Sequence, residues 1–278
     1  MESKVVIVTG GNTGIGKAIA IELAKQKYHV VIVSRNLEKG KIAVSDITNL
    51  SKNNNVNFIV GDLRNIESTK NLANTILSQY PKISVLINNA GLWPTKLEIN
   101  EDGLEMGFMV NHLAPFILSQ MLLAQLKKNK PARIVNVNAG LYVKGKVDLA
   151  KTPYGQDFGK FSTYMNTKLC NIYFTQKFSE EIKDSGVTIN AIHPGVVQTD
   201  LGKSEGLFGI ILNLVKKTWL SPEEGAKPPV WLATNPEAEN WNGKYFDLFS
   251  QKPYAKNANN AELKNQLWDL SKNLTSLK

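Results

Sequence analysis

"KVVIVTGGNTGIGKAIAIELAKQ", residues 4–26, decides the fold. Its first six residues form a β-branched apolar run, the signature of a buried strand. A glycine-rich loop follows at once, and apolar residues then recur at helical spacing. Gly10 permits a tight turn, Gly14 lets a backbone approach a pyrophosphate, and Gly16 allows close packing of helix on strand. Asn12, Thr13 and Ile15 lie between them. The start of such a helix presents free N–H groups and a partial positive charge to phosphate. The competing reading is a plain glycine-rich turn, and the strand–loop–helix context speaks against it.

Outward from this unit the same alternation repeats. Residues 29–33, 56–60, 83–87, 132–137 and 187–192 are short continuous apolar runs, and 243–248 is expected to be a last strand. Continuous rather than alternating runs are expected of a parallel sheet covered on both faces. Helical patterns separate them, including "PFILSQMLLAQLKK" and a terminal helix at 260–274. The prediction is α/β: a single doubly wound parallel sheet of Rossmann type with helices on both faces. No linker or repeat divides residues 1–278, so one domain is expected. "SPEEGA" (221–226) opens a helix, with Ser221 as cap, Pro222 in the first turn and Glu224 three residues on.

Composition narrows the class. The net charge of +9 and the pI of about 9.4 favour an anionic partner such as a phosphorylated cofactor or an acidic membrane surface. The basic residues are scattered with no aromatic ladder, which argues against nucleic acid. One cysteine, Cys170, allows no internal disulfide and suits a reducing, cytoplasmic setting. The N-terminus has no signal-peptide pattern, and no apolar run reaches the roughly 20 residues of a membrane helix.

Two strand ends bear on the cofactor. "VIVSRN" (31–36) ends in Arg35 and Asn36, where an NAD-preferring domain often has an acid. A guanidinium there suits a 2′-phosphate, which favours NADP(H). "GDLRN" (61–65) follows the next strand, so Asp62 and Leu63 are expected beside the adenine. Asp62 competes with Asn65 for the role of helix cap. Further on, Tyr164 and Lys168 are four apart and share one face of a helix. An ammonium beside a phenol lowers the phenol's pKa, and such a tyrosine can exchange a proton with an alcohol or carbonyl.

With these residues in place, the chain resembles the short-chain dehydrogenase/reductase family, and within it the NADP-dependent retinol dehydrogenase branch. The likeness rests on "TGGNTGIG", "NNAG" (88–91), Asn111, "YMNTK" (164–168) and "HPGVVQTD" (193–200), all in the expected order. Arg35, Lys17 and the 25 positions from Ala139 to Tyr164 point to the branch (164 − 139). The resemblance implies that Asn89, Ala90 and Gly91 close over the adenine side. It implies that Asn111 kinks a long helix and holds a water near Lys168. Tyr164 would be the general acid or base, and Lys168 would bond the nicotinamide ribose. Pro194, Gly195, Val197 and Thr199 would line the nicotinamide. No metal is implied, and His193 is read as a packing histidine. A homo-oligomer is implied without a legible interface.

One position departs from the family. Where a serine hydroxyl usually orients the carbonyl, the chain has Asn138 followed by Ala139. Three readings follow: a serine-to-alanine variant, a reductase whose donor comes from Asn138, Ser162 or Tyr142, or an NADP-binding regulator or scaffold without chemistry. On the substrate side, 205–220 is apolar and is expected to be a lid at about 200–220, with Leu207 and Phe208 facing a lipophilic substrate. Trp93 and Tyr142 are expected to join them. The same stretch, with Lys216 and Lys217, would suit peripheral membrane contact. Cys170 is expected to be buried and inert. The expected function is oxidoreduction of a small lipophilic carbonyl or alcohol.

Overall fold

The computed structural model describes residues 4–198 and 219–277. Its strands are β1 (Val5–Thr9), β2 (His29–Ser34), β3 (Val56–Val60), β4 (Val85–Asn88), β5 (Ala132–Val137), β6 (Val187–His193), β7 (Lys244–Asp247) and β8 (Ser250–Lys252). They form one sheet in the order β3-β2-β1-β4-β5-β6-β7-β8. The first seven are parallel, and β8 pairs antiparallel with β7. The described helices are α1 (Gly14–Lys25), α2 (Leu37–Ser51), α3 (Ile66–Gln79), α4 (Met106–Lys127), α5 (Ser162–Glu181), α6 (Pro222–Thr234) and α7 (Ala261–Thr275).

β1, β2, β4, β5 and β6 are buried on both faces, as expected, whereas β3 at the sheet edge leaves Asn57 and Val60 exposed. Ile7, Val31, Ile134 and Ile189 pack under Leu72 of α3, Phe116 of α4, Phe174 of α5 and Trp268 of α7. Val6, Val8, Ile32 and Val135 face Ile19 and Leu23 of α1, Ile47 of α2 and Leu232 of α6. Chain order reverses between β1 and β4, and ligands of open α/β sheets bind in the crevice beyond the strand ends at such a point.

Ser221 caps α6 with the full capping box, as its sequence suggests. Two features differ from expectation. β8 is three exposed residues with no apolar alternation, so periodicity could not reveal it. α4 is long and apolar enough by composition to cross a membrane, contrary to the expectation from apolar runs. Yet 83% of its apolar window is buried inside the protein, which makes it a core helix. The expected lid, with Thr199, Leu207, Phe208, Lys216 and Lys217, lies outside the described residues.

Candidate active site

A cleft of about 890 Å³ opens at the strand ends where the order reverses. One wall is the loop from β1 to α1, with Gly10, Asn12, Thr13, Gly14, Ile15 and Gly16 all lining it. Gly10 has φ +63° and Gly14 φ +52°, a region that favours glycine. Gly16 is required for space: a Cβ there would stand 2.3 Å from the Gly10 carbonyl oxygen and 2.4 Å from Asn89 Nδ2. Asn36 and Asn65 cap α2 and α3 with their side chains, whereas Thr13 at the start of α1 makes no such bond. The N–H groups of α1 therefore remain available to phosphate oxygens.

The loop is tied down from behind. Thr9 Oγ1 accepts from the amides of Asn89 and Ala90, each at 3.0 Å, and Asn89 Nδ2 donates to Thr9 O at 2.9 Å. Asn89, Ala90 and Gly91 line the cleft, as do Arg35, Asn36, Asp62 and Leu63. Asp62 does not cap α3. It accepts a forked pair from Arg64, with Nη2 at 2.7 Å. Burial pulls its carboxyl up, but the Arg64 hydrogen bonds and charge outweigh this and hold it below the usual value. Ser34 and Lys39 also line this end and were not anticipated. Lys39 stands in the first turn of α2, four residues past Arg35.

Tyr164, Lys168 and Asn111 converge at the other end. Lys168 Nζ donates to Val137 O at 3.0 Å and lies 5.8 Å from the Tyr164 ring centre. Burial pushes the lysine down to about 8. Burial also pushes the Tyr164 phenol up, so the lowering expected from the neighbouring ammonium is not what this environment produces. Trp93 lies flat on Tyr164, with ring centres 4.6 Å apart at 4°, and its indole N–H donates to Lys160 O. The stack covers one face of the Tyr164 ring.

Asn111 sits in a π-helical turn, Met109–Leu113, that interrupts the regular α-helical ladder of α4. Its side chain is directed elsewhere than Lys168. Oδ1 accepts from Leu92 N at 2.7 Å, and Nδ2 donates to Leu92 O and Thr167 Oγ1. Its carbonyl accepts from Asn171 Nδ2 at 3.2 Å. Asn171 was missed, although its place one turn beyond Lys168 on α5 is a signal.

Ala139 lines the cleft, and three expected substitutes for the missing hydroxyl do not serve. Asn138 Nδ2 donates to Lys168 O at 3.1 Å and Asn171 Oδ1 at 2.9 Å, while its Oδ1 accepts from the Ala139 amide. Every group of that amide is thus committed. Tyr142 is 1% exposed, its hydroxyl accepts from Ala255 N, and its ring packs on Tyr245. It belongs to the core and is absent from the cleft, both as donor and as substrate contact, because the turn after β5 sends it under the C-terminal segment. Ser162 Oγ points back to Gly159 O at 3.4 Å and is not among the cleft residues.

Pro194, Gly195 and Val197 line the cleft, together with the apolar Trp93, Leu92, Leu141 and Trp219. His193, expected to pack, also lines it. Burial and the charge of Lys168 lower its pKa, against the pull of Asp247. Cys170 is fully buried, and burial pushes its thiol up, in keeping with an inert residue. No metal-binding group of three or more His, Cys, Asp or Glu occurs among the described residues.

This fold and this cleft define a dinucleotide-binding oxidoreductase architecture. The short chain dehydrogenase family model matches residues 4–207, and the chain belongs to that family. It is similar to human retinol dehydrogenase 13, 38% identical over 99% of this chain and 85% of that one. Retinol dehydrogenase 12 of Mus musculus is 34% identical over 96% and 85% of the two chains. Human retinol dehydrogenase 14 is 32% identical over 100% and 88%. Among solved structures, a Mycobacterium paratuberculosis protein superposes with TM-score 0.78 at 23% identity, covering 98% of this chain and 93% of its own. A short chain dehydrogenase from Burkholderia cenocepacia J2315, solved in complex with NADP, gives TM-score 0.70 at 24% identity over 88% and 96%.

Proposed function

We propose that the protein is an NADP(H)-dependent oxidoreductase that reduces a lipophilic carbonyl or oxidises the matching alcohol, with Tyr164 as the general acid or base. The observation that carries this is one continuous cleft with a phosphate-ready helix start and Arg35 at one end and Tyr164 with Lys168 at the other. The uncapped start of α1, and the space at Gly16 that a Cβ would fill, fit a dinucleotide. Arg35 and Lys39 would hold a 2′-phosphate, and the β1–α1 loop the pyrophosphate. The NADP-bound relative supports the same preference.

When bound, the cofactor supplies or accepts hydride at the substrate carbon. Tyr164 gives its proton to the carbonyl oxygen in reduction, and its raised pKa keeps that proton in place until a substrate oxygen arrives. Lys168 would return a proton from its ammonium to the Tyr164 phenolate, and a water held on the Asn111 carbonyl would carry the replacement proton to Lys168. Leu92, Trp93, Leu141 and Trp219 give the substrate end an apolar character, in line with the retinol dehydrogenase relatives.

A second reading, a regulator that binds NADP(H) without chemistry, is favoured by Ala139 alone. The test is turnover of lipophilic aldehydes and ketones with NADPH, for the protein and for Ala139→Ser. Turnover that disappears in Tyr164→Phe supports the enzyme. NADPH binding without turnover in either form establishes the regulator instead.

A further inference from the structure

We infer that His193 replaces the missing hydroxyl at Ala139, donating a hydrogen bond from Nε2 to the substrate oxygen. The inference rests on the oxidoreductase reading above and names the group that completes its site.

The argument begins with register. β5 and β6 run parallel with Val137 opposite Ile192, so Asn138 and His193 follow side by side on the face that carries α5. That face also bears Tyr164 and Lys168. Gly140, next to Ala139, lies against the His193 ring: a methyl built on it would stand 3.3 Å from Cδ2 and 3.4 Å from Nε2. The ring thus stands beside the residue that follows Ala139, and Ala139, Gly140, Tyr164, Lys168 and His193 share the cleft.

Its hydrogen bonding is incomplete in a telling way. His193 Nδ1 is buried with no partner among the described residues. A buried N–H without an acceptor is rarer than a buried acceptor without a donor. The proton therefore belongs on Nε2, the nitrogen on the Gly140 side. The imidazole must be neutral to hold this tautomer. Burial and Lys168 favour neutrality, while Asp247, its partner in the β6–β7 register, opposes it. Asn138, Tyr142 and Ser162 have no donor to offer the cleft. No covalent bond forms or breaks at the imidazole. It orients the carbonyl and stabilises charge on oxygen as hydride arrives at carbon and the Tyr164 proton follows.

The test is a double-mutant cycle on His193→Ala and Ala139→Ser, read as kcat/KM for NADPH-dependent reduction of an unbranched ten-carbon aldehyde and a conjugated polyene aldehyde. NADPH affinity, by fluorescence, reports whether the site stays folded. His193→Ala is expected to lose about 10²-fold in the Ala139 protein, the usual cost of one such donor, but under about fivefold in the Ala139→Ser background. His193→Gln, whose amide reaches the same place, is expected to recover about tenfold over His193→Ala. Equal losses in both backgrounds would reduce His193 to a structural role and overturn the inference. So would turnover that appears only with Ala139→Ser, which leaves the oxidoreductase reading intact. No turnover in any form, with NADPH still bound, overturns both.

Discussion

Lys168 shows how one buried residue trades stability for function. Lys168 is 5% exposed, its ammonium donates to a carbonyl at 3.0 Å, and no carboxylate contributes to its shift. Burial sets its folded value at about 8 against 10.5 for a free lysine. Between these values the unfolded chain binds more protons than the native one, so Lys168 makes stability rise with pH across that window. Lys168→Met removes this term. Its stability relative to the parent, measured by urea unfolding, is expected to be most favourable below pH 8 and to decline toward pH 10.5, by about 2–3 kcal/mol. Activity is expected to vanish at every pH. At the opposite end of the cleft, Arg35→Ala and Lys39→Ala are each expected to weaken NADPH by about tenfold and leave NADH unchanged. Isothermal titration with both nucleotides checks this, and equal loss for NADH would remove the 2′-phosphate assignment.

At the scale of elements, α4 and α7 are joined by a buried polar contact. His112, in the π turn of α4, meets Ser271 Oγ of α7 through Nε2 at 2.8 Å. Burial pushes its pKa down to about 3. The folded value is depressed, so the stability that depends on a neutral His112 is present above pH 6.5 and is lost as pH falls from there toward 3. His112→Leu is expected to flatten the acid limb of stability by several kcal/mol at about pH 4, on the order of the shift. Ser271 keeps its bond to Leu267 O at 2.7 Å and is not orphaned. Chemical unfolding at about pH 7 and about pH 4 checks this, and parallel acid limbs would count against it. The break at the π turn is expected only through the family resemblance carried by Asn111. "MVNHL" has ordinary helical character, but Pro115 has no N–H to give the Asn111 carbonyl four residues back, so the regular helical ladder is interrupted at the turn.

The whole molecule is closed by its C-terminal segment. Asn257 Nδ2 donates to Tyr142 O at 3.0 Å and Gly145 O at 2.9 Å, and its own carbonyl accepts from Tyr173. The Ala255 amide reaches the Tyr142 hydroxyl at 3.1 Å. These bonds clamp the turn after β5, which carries Ala139 and Gly140, onto α5, which carries Tyr164. Asn257→Ala leaves two carbonyls without that donor and is expected to cost about 1–3 kcal/mol, a drop of a few degrees in Tm. It is also expected to lower turnover, because the wall of the cleft loses its support. A lower Tm with unchanged kcat/KM would show that the clamp is purely structural.

The sequence by itself determined the parallel sheet, the phosphate loop and the pairing of Tyr164 with Lys168. Each is written in local pattern: buried β-branched runs, the glycines of "TGGNTGIG" at the junction of strand and helix, and two residues one helical turn apart. The tertiary structure alone decided what surrounds Ala139. Asn138 is spent on Asn171, 33 residues away, and Tyr142 on Ala255, 113 residues away. His193 comes to the cleft only because β6 pairs with β5. Such partners are chosen by strand order and packing, which no local pattern records. A backbone that can be read from periodicity therefore holds a donor set that only contacts between distant segments can assign.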